Sequence, residues 1–304
     1  MNSILQALYH TEDLRDMIIS SDFDKTSIVE ALIQIFRQLN ATSIVNSGVD
    51  TTTLIRTCAI NPHIQEDAQE FLLSLLDKLD SASLHPLSSI FSGQIEQMTQ
   101  CLNVNFTKTK LQRFIDLSLD ILDCSNITDA LINYFSDEVL TGENRIKAGD
   151  FGKQEAVRMS RLVQPPKNLI LQLKRFSYDM ELQTMVKLHD RVEFPLVLDF
   201  NELKLCESDQ PLLYDLYGVV LHDGDPSYGH YTVLTRSLLR DPDQWFYLND
   251  AIVSDCDFEY VKGKGYGGAV YRMLGGSSGS CNAYLLFYKR RKSEEIITSR
   301  RSSV

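Results

Sequence analysis

Residues 221–236 read LHDGDPSYGHYTVLTR, in which His222 and His230 bracket a cluster of Asp, Gly, Pro and Ser before the strand-like GHYTVLTR. Such clusters between apolar runs mark turns joining antiparallel strands. The same punctuation separates NLILQLKRFSYD (168–179), LYDLYGVVLHDG (213–224), WFYLNDAIV (245–253) and NAYLLFYKRR (282–291). These runs are rich in β-branched and aromatic residues, so the C-terminal part of the chain is expected to be antiparallel sheet.

Upstream of it the periodicity changes. In MNSILQALYHTEDLR (1–15), Ile4, Leu5, Leu8 and Tyr9 recur at helical spacing with no cap ahead of them. Ser27 and Glu30 form a capping box before Ile28, Leu32, Ile35, Phe36 and Leu39. A third helix is expected from about His63 to Leu79, on Ile64, Ala68, Phe71, Leu72, Leu75, Leu76 and Leu79. From roughly Ile90 to Leu119 the chain turns β-rich, with LQRFIDLSLDI (111–121) read as one strand, and a short helix follows near Asn126 to Phe135. The fold class is α+β. GGSSGS (275–280) reads as a loop and residues 293–304 as part of a polar tail.

With 43% apolar and 23% charged residues in 304, the chain reads as a soluble globular protein. Its apolar runs, such as Leu169–Leu173, fall short of the roughly 20 residues that a membrane span needs. The opening lacks a secretory pattern, so a site in the cytoplasm or nucleus is expected, without a membrane partner. Six cysteines without a C-x-x-C pair argue against a zinc ribbon and a dense disulfide scaffold. A net charge of −11 disfavours nucleic acid as a partner.

Three segments hold residues suited to chemistry. His230, between Gly229 and Tyr231 at a strand mouth, suits a general base; an exposed loop histidine is the bland account. Asn249 and Asp250 follow the alternating Trp245–Leu248 run, where an amide or carboxylate on a neighbouring strand could accept the Nδ1 proton of a histidine and leave Nε2 free. Asn-Asp is equally a common way to open a turn. Together the two segments suggest Cys-His-Asn or Ser-His-Asn. In HIQEDAQEFLLSLLDKL (63–79), Glu66, Asp67 and Glu70 fall in the first two turns of the expected helix, where its dipole favours them or where they could grip arginines of a partner.

In this order the segments resemble the boxes of the ubiquitin-specific proteases, over Met1 to about Arg291. MNSILQALYHTEDLR looks like the remainder of a cysteine box, HIQEDAQEF like the second box, and GHYTVLTR, WFYLNDAIV and NAYLLFYKRR like the histidine box and closing strands. The resemblance implies a papain-like cysteine protease fold shaped as thumb, fingers and palm. The thumb would cover about 1–88, fingers and palm about 89–291, and a polar tail 292–304. It implies a monomer without cofactor or metal, the four zinc cysteines of many members being absent. Its partners would be ubiquitin and ubiquitinated proteins, cut after the C-terminal glycine of ubiquitin. His230 would be the base, Asn249 its orienting partner and Asp250 a helper. Asp67 and Glu70 would meet arginines of the ubiquitin tail. His222 and Tyr231 would also contact ubiquitin, and the 222–228 and 262–268 loops would border the cleft. The family's nucleophilic cysteine would fall two positions before Met1, and an Asn of its oxyanion hole earlier still. The expectation is an N-terminally truncated domain, inactive as it stands; the alternative is a ubiquitin-binding pseudoenzyme.

Overall fold

The N-terminal third is helical because its apolar residues return every three to four positions. Helix α1 (Asn2–His10) buries Ile4, Leu5, Ala7 and Leu8. Helices α2 (Glu12–Ser20) and α3 (Ser27–Asn40) follow, then the short α4 (Thr52–Thr57) and α5 (Ala68–Ser81), which buries Phe71, Leu72, Leu75, Leu76 and Leu79. This computed structural model describes residues 1–20, 27–41, 48–61, 65–81, 87–205, 211–239, 241–268 and 281–292. The Ser27 side chain, His63, Ile64, Cys206, the 275–280 segment and residues 293–304 lie outside the described residues.

Helix α5 begins at Ala68, later than its apolar spacing suggests. Gln65, Glu66 and Asp67 precede it, and Asp67 is its N-cap: Oδ1 accepts from the backbone N–H groups of Gln69 at 2.8 Å and Glu70 at 3.2 Å. A carboxylate there satisfies donors that the helix itself leaves unpaired, so Asp67 sets the start.

The strands in chain order are β1 (Gly93–Cys101), β2 (Thr107–Phe114), β3 (Asp116–Leu119), β4 (Glu138–Leu140), β5 (Ile146–Lys147), β6 (Lys153–Gln154), β7 (Ala156–Gln164) and β8 (Asn168–Leu173). They continue as β9 (Phe176–Asp179), β10 (Thr184–Lys187), β11 (Val197–Asp199), β12 (Leu213–Asp225), β13 (Tyr228–Ser237), β14 (Asp241–Asn249), β15 (Ile252–Cys256) and β16 (Asn282–Arg290). Two further helices are α6 (Ile127–Tyr134), capped by Asn126, and α7 (Phe258–Gly265), capped by Asp257. The main sheet runs β15-β14-β13-β12-β16-β8-β3, with β11 also on β12, and a smaller sheet runs β2-β1-β7-β4. Every pairing in the main sheet is antiparallel except β3 with β8.

The main sheet is buried on both faces, which is why β16 reads as an unbroken apolar run. Val220, Leu285 and Phe287 face the helices α1–α5, while Val219, Leu221, Leu286 and Tyr288 join the cluster that includes α6 and α7. The register of β16 on β12 slips between Leu285 and Ala283, leaving Tyr284 as the extra residue of a bulge. Tyr284 and Leu285 consequently both lie in the cluster with the N-terminal helices. No helix among the described residues is long and apolar enough to cross a membrane.

Three expectations are corrected. LQRFIDLSLDI divides at Ile115, its first half in the small sheet as part of β2 and its second in the main sheet as β3. Its alternation runs across the junction, and sheet membership depends on partners far along the chain. The loop expected between His222 and His230 is the tip of a long hairpin, in which His222 pairs with Tyr231 and Asp223 with His230. Residues 262–265, expected in a loop at the cleft, belong to α7, whose buried Val261 and Gly265 pack into the core.

Candidate active site

The N-terminus of α1, the segment before α5 and the tips of two hairpins surround a cleft of about 1000 Å³. Asn2, Glu66, Glu70, His230, Tyr231 and Asp250 are among its walls. His230 stands near the start of β13 with its side chain 52% exposed. Its Nε2 lies 2.7 Å from Asn249 Oδ1 and 3.8 Å from Asp250 Oδ2. The nitrogen facing Asn249 is thus Nε2, where Nδ1 was expected. Nε2 is the ring nitrogen farthest from its own backbone, and it is the one that spans to the next strand. With an amide oxygen as acceptor, the proton sits on Nε2 and the lone pair on Nδ1.

Asn249 closes β14 opposite Ile252, so Asp250 and Ala251 form a two-residue hairpin turn. Asp250 takes φ +50°, the left-handed conformation that Asp tolerates better than most residues. The turn account of Asn-Asp and its placement beside His230 therefore hold together. Asp250 is also tied to α1: Asn2 Nδ2 donates to its Oδ1 at 2.7 Å, and Gln6 Nε2 to its backbone oxygen at 2.8 Å.

On the opposite wall the carboxylate of Asp67 is heavily used. Besides the two helix N–H groups on Oδ1, its Oδ2 accepts from Tyr231 OH at 3.0 Å and Tyr284 OH at 2.7 Å. Burial, with the Asp67 charge beside them, holds both phenols well above their ordinary pKa. Glu66 and Glu70 are exposed. Gln65 Oε1 accepts from Gly229 N–H at 3.2 Å, joining the segment before α5 to the hairpin tip.

His222, expected to meet a partner, is only 2% exposed. Its ring lies under the hairpin, against Phe176 and Tyr231. Burial first, and then the Lys187 ammonium, lower its pKa to about 4, so the imidazole is neutral.

The five described cysteines are free, and none lines the cleft. Burial pushes Cys256 and Cys281 up to about 11 and raises Cys58 and Cys124, the opposite of an activated thiolate. Among the described residues no three His, Cys, Asp or Glu gather as a metal site.

The sequence profile of the ubiquitin carboxyl-terminal hydrolase family matches residues 1–288. The chain belongs to this family. Ubiquitin carboxyl-terminal hydrolase 5 of Schizosaccharomyces pombe is 32% identical over 98% of this chain and 28% of its own length. Ubiquitin carboxyl-terminal hydrolase 7 of Drosophila melanogaster is 32% identical over 96% of this chain and 26% of its own. Ubiquitin C-terminal hydrolase 12 of Arabidopsis thaliana is 32% identical over 88% of this chain and 25% of its own. The chain thus spans about a quarter of the length of these relatives.

The mixed helical and antiparallel architecture is accordingly the papain-like cysteine protease fold of the ubiquitin carboxyl-terminal hydrolases. In this domain His230, Asn249 and Asp250 meet at one point, Asp67 and Tyr231 meet at another, Glu70 stands exposed in the wall, and His222 lines the cleft with only 2% of its surface exposed. Asn2, Gln6, Gln65, Tyr284 and Lys187 also shape the site and were not marked by spacing. Only a polar face on α1, bearing Asn2 and Gln6 four residues apart, hinted at the first two.

Proposed function

We propose that this domain hydrolyses the bond after the C-terminal glycine of ubiquitin with a cysteine thiol as nucleophile, and that its partners are ubiquitin and ubiquitinated proteins. The observation that carries this reading is the 2.7 Å contact between His230 Nε2 and Asn249 Oδ1 at the cleft. It leaves Nδ1 as the base. Nδ1 takes the thiol proton as sulfur attacks the carbonyl carbon, and the imidazolium is stabilised by Asn249 Oδ1 and the nearby Asp250 carboxylate. The same proton then passes to the leaving amine as the C–N bond breaks. In the second half His230 deprotonates the water that releases the acyl group from sulfur.

The thiol is proposed to come from outside the described residues, carried on a segment joined to the N-terminal end of α1. No described cysteine lines the cleft, and the N-terminus of α1 opens beside the Asp250 turn, where the helix dipole favours a thiolate. On this reading residues 1–304 alone do not turn over ubiquitin amides. A chain extended at the N-terminal end of α1 by a segment that carries a cysteine should cleave a fluorogenic amide on the ubiquitin C-terminus, and His230→Ala should slow it about 10²–10⁴-fold. Turnover by residues 1–304 that His230→Ala abolishes would overturn the placement of the thiol. An extended chain holding a thiol but lacking activity would favour a ubiquitin-binding protein without chemistry.

A further inference from the structure

In the cleft floor His222, with Lys187 behind it, forms a pair that no step of the proposed reaction uses. Lys187 closes β10 and is 7% exposed. Its Nζ donates to His222 Nδ1 at 2.8 Å and to His222 O at 2.9 Å. With Nδ1 accepting from the ammonium, the ring proton of neutral His222 sits on Nε2. A methionine would fill much of the same volume without the cost of burying an amine. The amine adds hydrogen bonds that a thioether cannot make, two of them to His222.

That residue carries the backbone on either side of His230. The His222 ring lies 4.7 Å from the Tyr231 ring and edge-on to Phe176 at 5.2 Å. A Cβ added at Gly229 would fall 2.0 Å from His222 Nε2, so the Gly229 backbone lies directly against the ring. Across the hairpin His222 pairs with Tyr231, and its neighbour Asp223 pairs with His230. Residues 229 and 231 thus rest on one imidazole, which β10 holds from below.

We infer that Lys187 and His222 are positioning residues for His230: Lys187 fixes the His222 ring, and that ring sets the 229–231 backbone from which His230 reaches Asn249. The effect on turnover rests on the proposed role of His230 as base; the effect on its geometry does not.

The test reads both. In residues 1–304 with ¹⁵N-labelled histidine, Lys187→Met and His222→Phe should each displace the His230 ring resonances or split them into two conformers. Lys167→Met, at an exposed position away from the hairpin, should leave them in place. Lys187→Gln, which retains one amide donor, should give a smaller displacement and is read instead if Lys187→Met does not fold. In the extended chain Lys187→Met should lower kcat about tenfold with KM within twofold, whereas a merely structural loss would reduce the folded fraction and leave kcat per folded molecule alone. Unchanged His230 resonances in a folded Lys187 or His222 variant would overturn the inference. Displaced resonances with unchanged kcat would leave the clamp standing and overturn the role of His230.

Discussion

Asn2 and Asp250, 248 positions apart, meet at 2.7 Å, the Asn2 amide donating to the Asp250 carboxylate. One residue opens the first helix, and the other is the turn residue next to Asn249. The bond holds the positive end of the α1 dipole beside the turn that orients His230. Asp250 therefore serves two structures: its side chain ties the helix to the sheet, and its backbone makes the turn.

These two roles separate by substitution. Asp250→Gly removes the hydrogen bond to Asn2 but keeps a residue at ease with φ +50°. Asp250→Ala removes the same bond and adds left-handed strain, so it should cost about 1 kcal/mol more stability than the glycine variant. Urea unfolding of the two chains measures this directly. Equal midpoints would mean that the turn stores no such strain.

Asp67 and Glu70, grouped together by the sequence as arginine-binding carboxylates, should behave differently. Asp67→Ala uncaps α5 and leaves the hydroxyls of Tyr231 and Tyr284 without their shared acceptor, so a loss of about 2–4 kcal/mol in stability is expected. Glu70 is exposed in the cleft wall, and Glu70→Ala should change stability by less than about 0.5 kcal/mol. If Glu70 meets an arginine of ubiquitin, the same change should weaken ubiquitin binding about tenfold, more at low salt than at high. Unfolding midpoints and titration with ubiquitin test the two halves separately.

Acidification should destabilise the fold before most carboxylates titrate. His222 and His10 are both lowered from 6.5 to about 4, each chiefly by burial. Between those values the unfolded chain binds protons that the folded chain refuses, so stability present above pH 6.5 is lost as pH falls toward 4. For His222 alone the shift corresponds to about 3 kcal/mol. Lys187 acts at the other end: burial lowers it from 10.5 to about 8, so its contribution makes stability rise with pH across that window. Unfolding midpoints of the wild type should fall from pH 7 to pH 4.5, and His222→Phe should flatten part of that slope. A parallel slope in the variant would contradict a neutral His222.

The helices and strands were readable wherever one local rule governed them, as in α1 with its apolar stripe and β16 with its unbroken run. Reading failed where a distant partner decided. The start of α5 depends on Asp67 choosing to cap, and β2 and β3 part company because they pair with β1 and β8 in different sheets. In the site, His230 and Asn249 stood out because a histidine at a strand mouth and an amide at a strand end are unusual positions. His222 stands out equally and lines the cleft, but its burial is not legible, since nothing around it in sequence announces Lys187, 35 positions earlier. The run TMVK (184–187) gives no sign that its lysine points inward.

The contact between Gly229 and His222 gives the sharpest test of the hairpin. A Cβ at position 229 would stand 2.0 Å from His222 Nε2 and 2.8 Å from the Asp223 carbonyl oxygen. Real Cβ atoms do not approach so closely, so either the ring or the backbone must move. The ring is confined by Phe176, Tyr231 and the Lys187 amine, and overpacking of this kind typically costs about 1–3 kcal/mol. Gly229→Ala should therefore lose about that much. His222→Ala opens a space below position 229 and, in that background, Gly229→Ala should cost at least 1 kcal/mol less, a coupling typical of residues in contact. The remaining cost reports the Asp223 oxygen, which no side-chain change relieves. A double-mutant cycle by chemical denaturation gives both quantities, and additivity within about 0.3 kcal/mol would show that the His222 ring does not support the Gly229 backbone.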